Sequence, residues 1–177
     1  MGFLLKTYFN NQSDDIKFTL NLSTKTKDMF NKSKTLPIAC DHGAFEMKEY
    51  LISKLKENGY LVNDMGTYNT DSVDYPDMIH PLAKAINEGE YELGVIMCGS
   101  GNGAQITANK YAQVRAGLCW TVEQAQLTRM HNNANIISIP GRFVELPLAW
   151  EILQAFLKTD FEGGRHINRV NKISQVL

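Results

Sequence analysis

The sequence predicts a doubly wound (Rossmann-like) α/β fold: a five-stranded parallel sheet, order 2-1-3-4-5, with helices on both faces. Two observations predict it. From residue 35 onward, short apolar runs rich in β-branched residues alternate with stretches of helical length, as in consecutive βαβ units. Polar, glycine-containing segments follow the first and third of those runs: Cys40-Asp41-His42-Gly43 and Cys98-Gly99-Ser100-Gly101-Asn102-Gly103. In a sheet of this order the switch point lies between strands one and three, and ligands bind outside the strand carboxyl ends there.

The elements follow in order. Strand one is expected at 36–40, and a helix over 45–58 is stopped by Gly59. Strand two follows at 60–64. A loop over 66–75 leads to a helix running from Pro76, a residue favoured at the first helical position, to Asn87. Strand three at 93–97 precedes a helix over 102–111, and strand four at 115–119 a helix over 122–131. Strand five at 136–139 precedes a helix over 146–157, and a last helix covers 165–176.

Residues 1–34 stand apart as an N-terminal extension rich in Asn, Lys, Ser and Thr. Within it Ile16, Phe18, Leu20 and Leu22 alternate with polar residues, the period of a half-buried strand. An extra edge strand, a dimer arm and a disordered tail are all open readings. Residues 35–177 form the domain proper.

A chain of 177 residues with 44% apolar residues can bury one real core. Its net charge of −1 gives no global field toward nucleic acid or an anionic membrane, and no apolar run approaches a membrane span. The apolar stretch at 2–5 is too short for a signal peptide. Met1-Gly2 begins like a myristoylation site, but Lys6 stands where Ser or Thr is expected. Cys40, Cys98 and Cys119 are odd in number and form no CxxC pair, so neither a disulfide framework nor a zinc site is suggested. A reducing, cytoplasmic location is the simpler assumption. No metal and no cofactor are expected.

Three glycines in the loop 98–103 let backbone N–H groups turn inward beside a helix start, which suits a phosphate or a developing enediolate. The alternative is a tight turn without a ligand. The loop lacks the Gly-Lys-Ser/Thr ending of a nucleotide triphosphate loop. Gly99, Gly101 and Ala104 fit a dinucleotide-binding pattern loosely, with Glu123 downstream, but that pattern normally follows the first strand. Cys98 closes strand three against the helix start, a setting that favours a thiolate able to act as base or nucleophile. An inert buried thiol is the other reading. His131-Asn132 ends the helix before strand five. There His131 is either a helix-end cation or an acid/base group at the ligand face. Arg165 and Arg169, four apart, share a helix face and suit a phosphate unless they are simply solvated. Arg142 after strand five lies at the same sheet edge and can join them. Asp41 reads as a helix cap, and Asp74-Tyr75-Pro76 as a helix start.

Together these pieces resemble the ribose-5-phosphate isomerase B family, which also includes galactose-6-phosphate isomerase subunits. The matching stretches are Ala39–Gly43, Asp74–Pro76, Cys98–Gly103, Ala108–Lys110, His131-Asn132, Gly141-Arg142 and Gly163-Gly-Arg-His-x-x-Arg169, in order over about 35–173. The resemblance implies an aldose–ketose isomerase acting on a sugar phosphate, ribose 5-phosphate or a hexose phosphate such as galactose 6-phosphate or allose 6-phosphate. It implies Cys98 as the proton-shuttling base; Ala104 stands where another subgroup has its glutamate base. Amides of Gly99 to Gly103, with Ser100, would hold the enediolate oxygen. Arg142, Arg165 and Arg169 would take the phosphate, with His42 and with His166 nearby. His131, assisted by Asp41, would open the sugar ring, Asn132 would bind the sugar, and Tyr75 and Asn102 would line the substrate site. It implies a homodimer or dimer of dimers whose sites take His131 and some arginines from the partner.

Overall fold

A computed structural model describes residues 30–175. The chain runs β1 (Thr35–Cys40), a 3-10 turn (His42–Ala44), α1 (Phe45–Glu57), β2 (Leu61–Asp64), α2 (Tyr75–Asn87), β3 (Gly94–Cys98), α3 (Asn102–Ala108), β4 (Ala116–Leu118), α4 (Val122–Asn132), β5 (Ile136–Pro140), α5 (Leu146–Lys158) and α6 (Arg165–Val170). All strands are parallel, so the doubly wound class holds.

The strand order is β2-β1-β3-β5-β4, not 2-1-3-4-5. Burial explains the exchange. β5, Ile-Ile-Ser-Ile-Pro, is buried along its whole length, as is β3, and such strands belong inside a sheet covered on both faces. β4 has three residues, two of them only half-buried, and suits an edge. The switch point between β1 and β3 is unaffected, because β1 pairs β2 on one side and β3 on the other.

Alternate strand residues feed two cores. Leu36, Ile38, Val95, Met97 and Ile137 join Met47 and Leu51 of α1 and Ile152 and Phe156 of α5. Ala39, Ile96 and Cys98 join Ile79 and Leu82 of α2 and Ala104 of α3. Cys98 therefore points to the α2/α3 side, while Cys40 points to the α1/α5 side.

Several ends differ from expectation. α3 stops at Ala108 rather than residue 111. The Asn109 amide donates to the Ala116 carbonyl (3.0 Å) and accepts from the Ala116 N–H (2.8 Å), occupying the backbone of the edge strand. The last helix ends at Val170 rather than 176, and turns follow over 171–174. Phe30, which the sequence places in the extension, is 3% exposed and stacks on Tyr60 at 6.4 Å. The alternating segment from Ile16 to Leu22 lies outside the described residues. Lys48 of α1 is fully buried, paired with Glu49 (3.0 Å) and Asp64. Burial works against its charge, but the hydrogen bonds it donates to both carboxylates outweigh it and raise its pKa.

Candidate active site

The predicted site residues fall into two groups, at opposite ends of the strands. The first gathers at the carboxyl edge. β1 and β3 deliver Asp41 and Cys98 there side by side, with the Asp41 N–H donating to the Met97 carbonyl (3.3 Å). The Cys98 carbonyl accepts from Gly101 (3.2 Å) and Gly141 (2.9 Å), and the Gly99 carbonyl accepts from Arg142 (3.0 Å). The loop after β3 and the turn after β5 are thus tied to the same two peptides. Gly101 turns the chain at φ +74, and the Ser138 hydroxyl donates to its carbonyl from below (2.8 Å).

Arg142 lies along Gly99. A Cβ on Gly99 would stand 3.2–3.4 Å from the Nε, Cδ and Cζ of Arg142, so glycine is what lets the guanidinium approach. The Tyr75 ring covers Gly103 in the same way, 2.8–3.1 Å from where a side chain would begin. The Ser100 hydroxyl is 3.4 Å from the Asn102 N–H, a long contact that leaves it free for other partners. His42 Nδ1 accepts from the Val73 N–H (3.2 Å), which assigns the ring proton to Nε2. A cavity of about 300 Å³ opens beside His42, Gly43, Gly141 and Arg142. Asp41 is buried, and its Oδ1 accepts from Gly43 (2.9 Å), so the cap reading of Asp41 holds.

The three cysteines are free thiols. Burial pushes Cys40 and Cys119 up to about 12, which makes them inert. Cys98, 4% exposed, is the one of the three on the α2/α3 side of the sheet, where the Gly99–Gly103 loop begins.

The second group sits at the amino edge. α4 leaves the carboxyl end of β4 and returns to the start of β5, so His131 and Asn132 on its last turn lie at the far end of the sheet from Cys98. The expectation of His131 at the ligand face is therefore wrong within one chain. So is the grouping of Arg142 with Arg165 and Arg169, which lie on α6 against α4. A five-residue strand separates the groups by about 16 Å. Here His131 and His166 stack in parallel, centroids 4.4 Å apart and planes at 3°. Both Nε2 atoms face one carboxylate oxygen of Glu162, at 3.5 Å from His131 and 3.8 Å from His166. Arg165 Nε stands 3.4 Å from His166 Nε2. Burial, then His131 and Arg165, hold the His166 pKa below its ordinary value. Sequence reasoning missed Glu162; its only local signal is the i,i+4 spacing to His166. A larger cavity of about 670 Å³ along β4 includes Asn132 and Arg115 but neither Cys98 nor the three predicted arginines.

Comparison with known proteins agrees with this architecture. The profile of the family described as Ribose/Galactose Isomerase matches residues 36–173. Ribose-5-phosphate isomerase B of Escherichia coli K12 is 39% identical over 143 residues, 81% of this chain and 96% of that protein. The crystal structure of a ribose 5-phosphate isomerase from Thermotoga maritima is 45% identical, with a TM-score of 0.79 over 81% of this chain and 99% of that one. Ribose-5-phosphate isomerase B from Mycoplasma genitalium, solved with bound ribulose-5-phosphate, is 36% identical with a TM-score of 0.77, covering 81% and 96%. The chain belongs to the ribose/galactose isomerase family and is an aldose–ketose isomerase.

Proposed function

We propose that this member of the ribose/galactose isomerase family converts ribose 5-phosphate to ribulose 5-phosphate through a cis-enediolate, in a site closed by two copies of the chain. The observation that carries the reading is Cys98 at the end of β3, beneath glycine-rich backbone tied to the Arg142 turn. The Cys98 thiolate takes the proton from C2 of the open-chain aldose. The C–H electron pair becomes the C1–C2 double bond, and the carbonyl oxygen gains the negative charge. Amides of the loop from Gly99 to Gly103, with the Ser100 hydroxyl, stabilise that oxygen; losing one such donor raises the barrier by about 3–4 kcal/mol. The C2 hydroxyl proton passes to the C1 oxygen, the C1–C2 double-bond electrons take the first proton back at C1, and C2 becomes the carbonyl of the ketose.

Arg142 and His42, with Arg165 and Arg169 of a second copy, hold the phosphate, whose remote binding energy positions the reacting carbons. His131 of that copy opens the ring, assisted by Asp41, and Asn132 binds the sugar. His166 lies near the phosphate, while Tyr75 and Asn102 border the sugar. Two groups held about 16 Å apart by a strand cannot serve one small substrate within one chain. A two-fold dimer, alone or as half of a dimer of dimers, brings unlike ends together twice. Neither nucleic acid nor a membrane has a part in this reading: the net charge is −1, and no helix among the described residues is long and apolar enough to cross a membrane. Buried free thiols fit a cytoplasmic setting.

Turnover of ribose 5-phosphate, allose 6-phosphate and galactose 6-phosphate by the purified full chain tests the assignment. The highest kcat/KM is expected on ribose 5-phosphate. A preference for either hexose phosphate would reassign the substrate, and turnover of none would overturn the reading.

A further inference from the structure

We propose that His131, Glu162 and His166 form an inhibitory binding site for a divalent transition-metal ion such as zinc. Two imidazoles and one carboxylate are a common zinc donor set that leaves a fourth position open. Two ligands on one tetrahedral zinc, at bonds of about 2.0–2.2 Å, stand about 3.3–3.6 Å apart. Glu162 Oε2 already stands 3.5 Å from His131 Nε2 and 3.8 Å from His166 Nε2. All three donor atoms lie within 4.8 Å of one another. The two rings are stacked parallel, so His131, whose side chain is 35% exposed, must turn out of the stack before both ring lone pairs meet at one ion. His166, 5% exposed, is the fixed ligand.

The protonation state suits a metal. Arg165 Nε donates to His166 Nε2, so that nitrogen presents a lone pair rather than a proton. A metal at Nε2 displaces the Arg165 N–H and engages His131. The inhibitory part rests on the proposed isomerase site, to which both residues belong. Sugar phosphate and metal then exclude each other, because one requires Arg165 and His131 in place and the other removes them.

The site itself is tested without substrate. Zinc chloride is titrated into the full chain against a chromophoric chelator, and the visible spectrum is recorded with cobalt(II). One metal per chain is expected, with a tetrahedral cobalt spectrum lacking sulfur charge transfer. Glu162→Gln and His166→Gln should each weaken binding at least about tenfold, the loss that even an outer-shell partner costs. Cys98→Ala should bind as the parent does. No binding, binding that survives both substitutions, or binding lost with Cys98→Ala would overturn the site. Kinetics test the inhibition: zinc should raise the KM for ribose 5-phosphate, leave kcat nearly unchanged, and be reversed by EDTA. Binding without inhibition overturns the inhibitory role. A metal-free chain that turns over no sugar phosphate fails the isomerase reading, while the titration still decides the metal site.

Discussion

The two ends of the sheet are built from different materials. At the carboxyl edge, Cys98 and the loop after it are held by backbone: Gly101 and Gly141 on one carbonyl, Arg142 on the next, Ser138 below. At the amino edge, His131, Glu162, His166 and Arg165, from the end of α4, a loop and α6, meet mainly through side chains, with one backbone bond from the Glu162 N–H to the Met130 carbonyl (3.0 Å) tying the loop to α4. The first region is rigid and fit for holding donors where charge develops. The second is a titratable, partly exposed cluster whose members can be moved by a ligand or a proton. On the proposed reading, preorganised stabilisation and adjustable binding belong to separate parts of one fold.

The largest effect should come from the rigid end. Cys98→Ala is expected to lower kcat by about 10²–10⁴-fold, the range for a lost general base, while the protein still folds and binds sugar phosphate. A near-normal kcat would remove Cys98 from the chemistry. Mixing refolded Cys98→Ala and His131→Ala chains joins the two ends across a dimer. Half the dimers are then mixed, each with one intact site, so about a quarter of parental activity should return. No recovery would break the shared-site comparison.

The adjustable end should show a smaller, substrate-dependent effect. Arg165→Ala or Arg169→Ala should cut kcat/KM for ribose 5-phosphate by about one to two orders of magnitude, since a charge-assisted hydrogen bond contributes roughly 1.5–3 kcal/mol. Lysine should rescue only in part, lacking the bidentate fork. Equal losses on free ribose would point to a structural role.

Smaller still is a consequence for stability. The chain without residues 1–29 and the chain without residues 1–34 should differ in unfolding midpoint. Removing 1–34 also deletes Phe30, buried against Tyr60 and bonded to the Leu157 carbonyl, and should cost about 3 kcal/mol. Equal midpoints in denaturant would show that Phe30 adds nothing.

The subtlest effect is a titration. The His166 ring resists protonation through burial and its neighbours His131 and Arg165, although Glu162 favours the charge. Its NMR midpoint should therefore lie below 6.5, the ordinary histidine value. A folded pKa below the unfolded one contributes stability above about 6.5 that is lost as pH falls through the folded pKa. A midpoint at or above 6.5 would contradict the neutral-ligand picture.

The rigid end was legible because its residues are contiguous. Glycines, cysteine and aspartate sit together in two loops at a switch point that strand order alone locates. The adjustable end was legible only in pieces. His131 and Arg165 carried motifs, but which edge they occupy follows from the helix running back along the sheet, a fact of topology rather than local pattern. Glu162 carried no motif. β5 and β4 were exchanged because consecutive strands are usually neighbours, whereas burial of every β5 residue decides its place. Asn109 was read as part of a helix, while its side chain serves the backbone of β4. Nothing in the local pattern marks Lys48 as buried; two carboxylates allow it to be fully buried.

The separation of the two ends has a kinetic meaning. On the proposed reading, a solitary chain holds every functional group and catalyses nothing, because no site is contained in it. Specific activity then obeys mass action: it falls on dilution below the dimer dissociation constant and returns on concentration, with no change in fold. Expression level becomes a determinant of turnover per molecule, not only of total flux. Damage to one subunit silences half of two sites at once, so loss of function spreads to an intact partner.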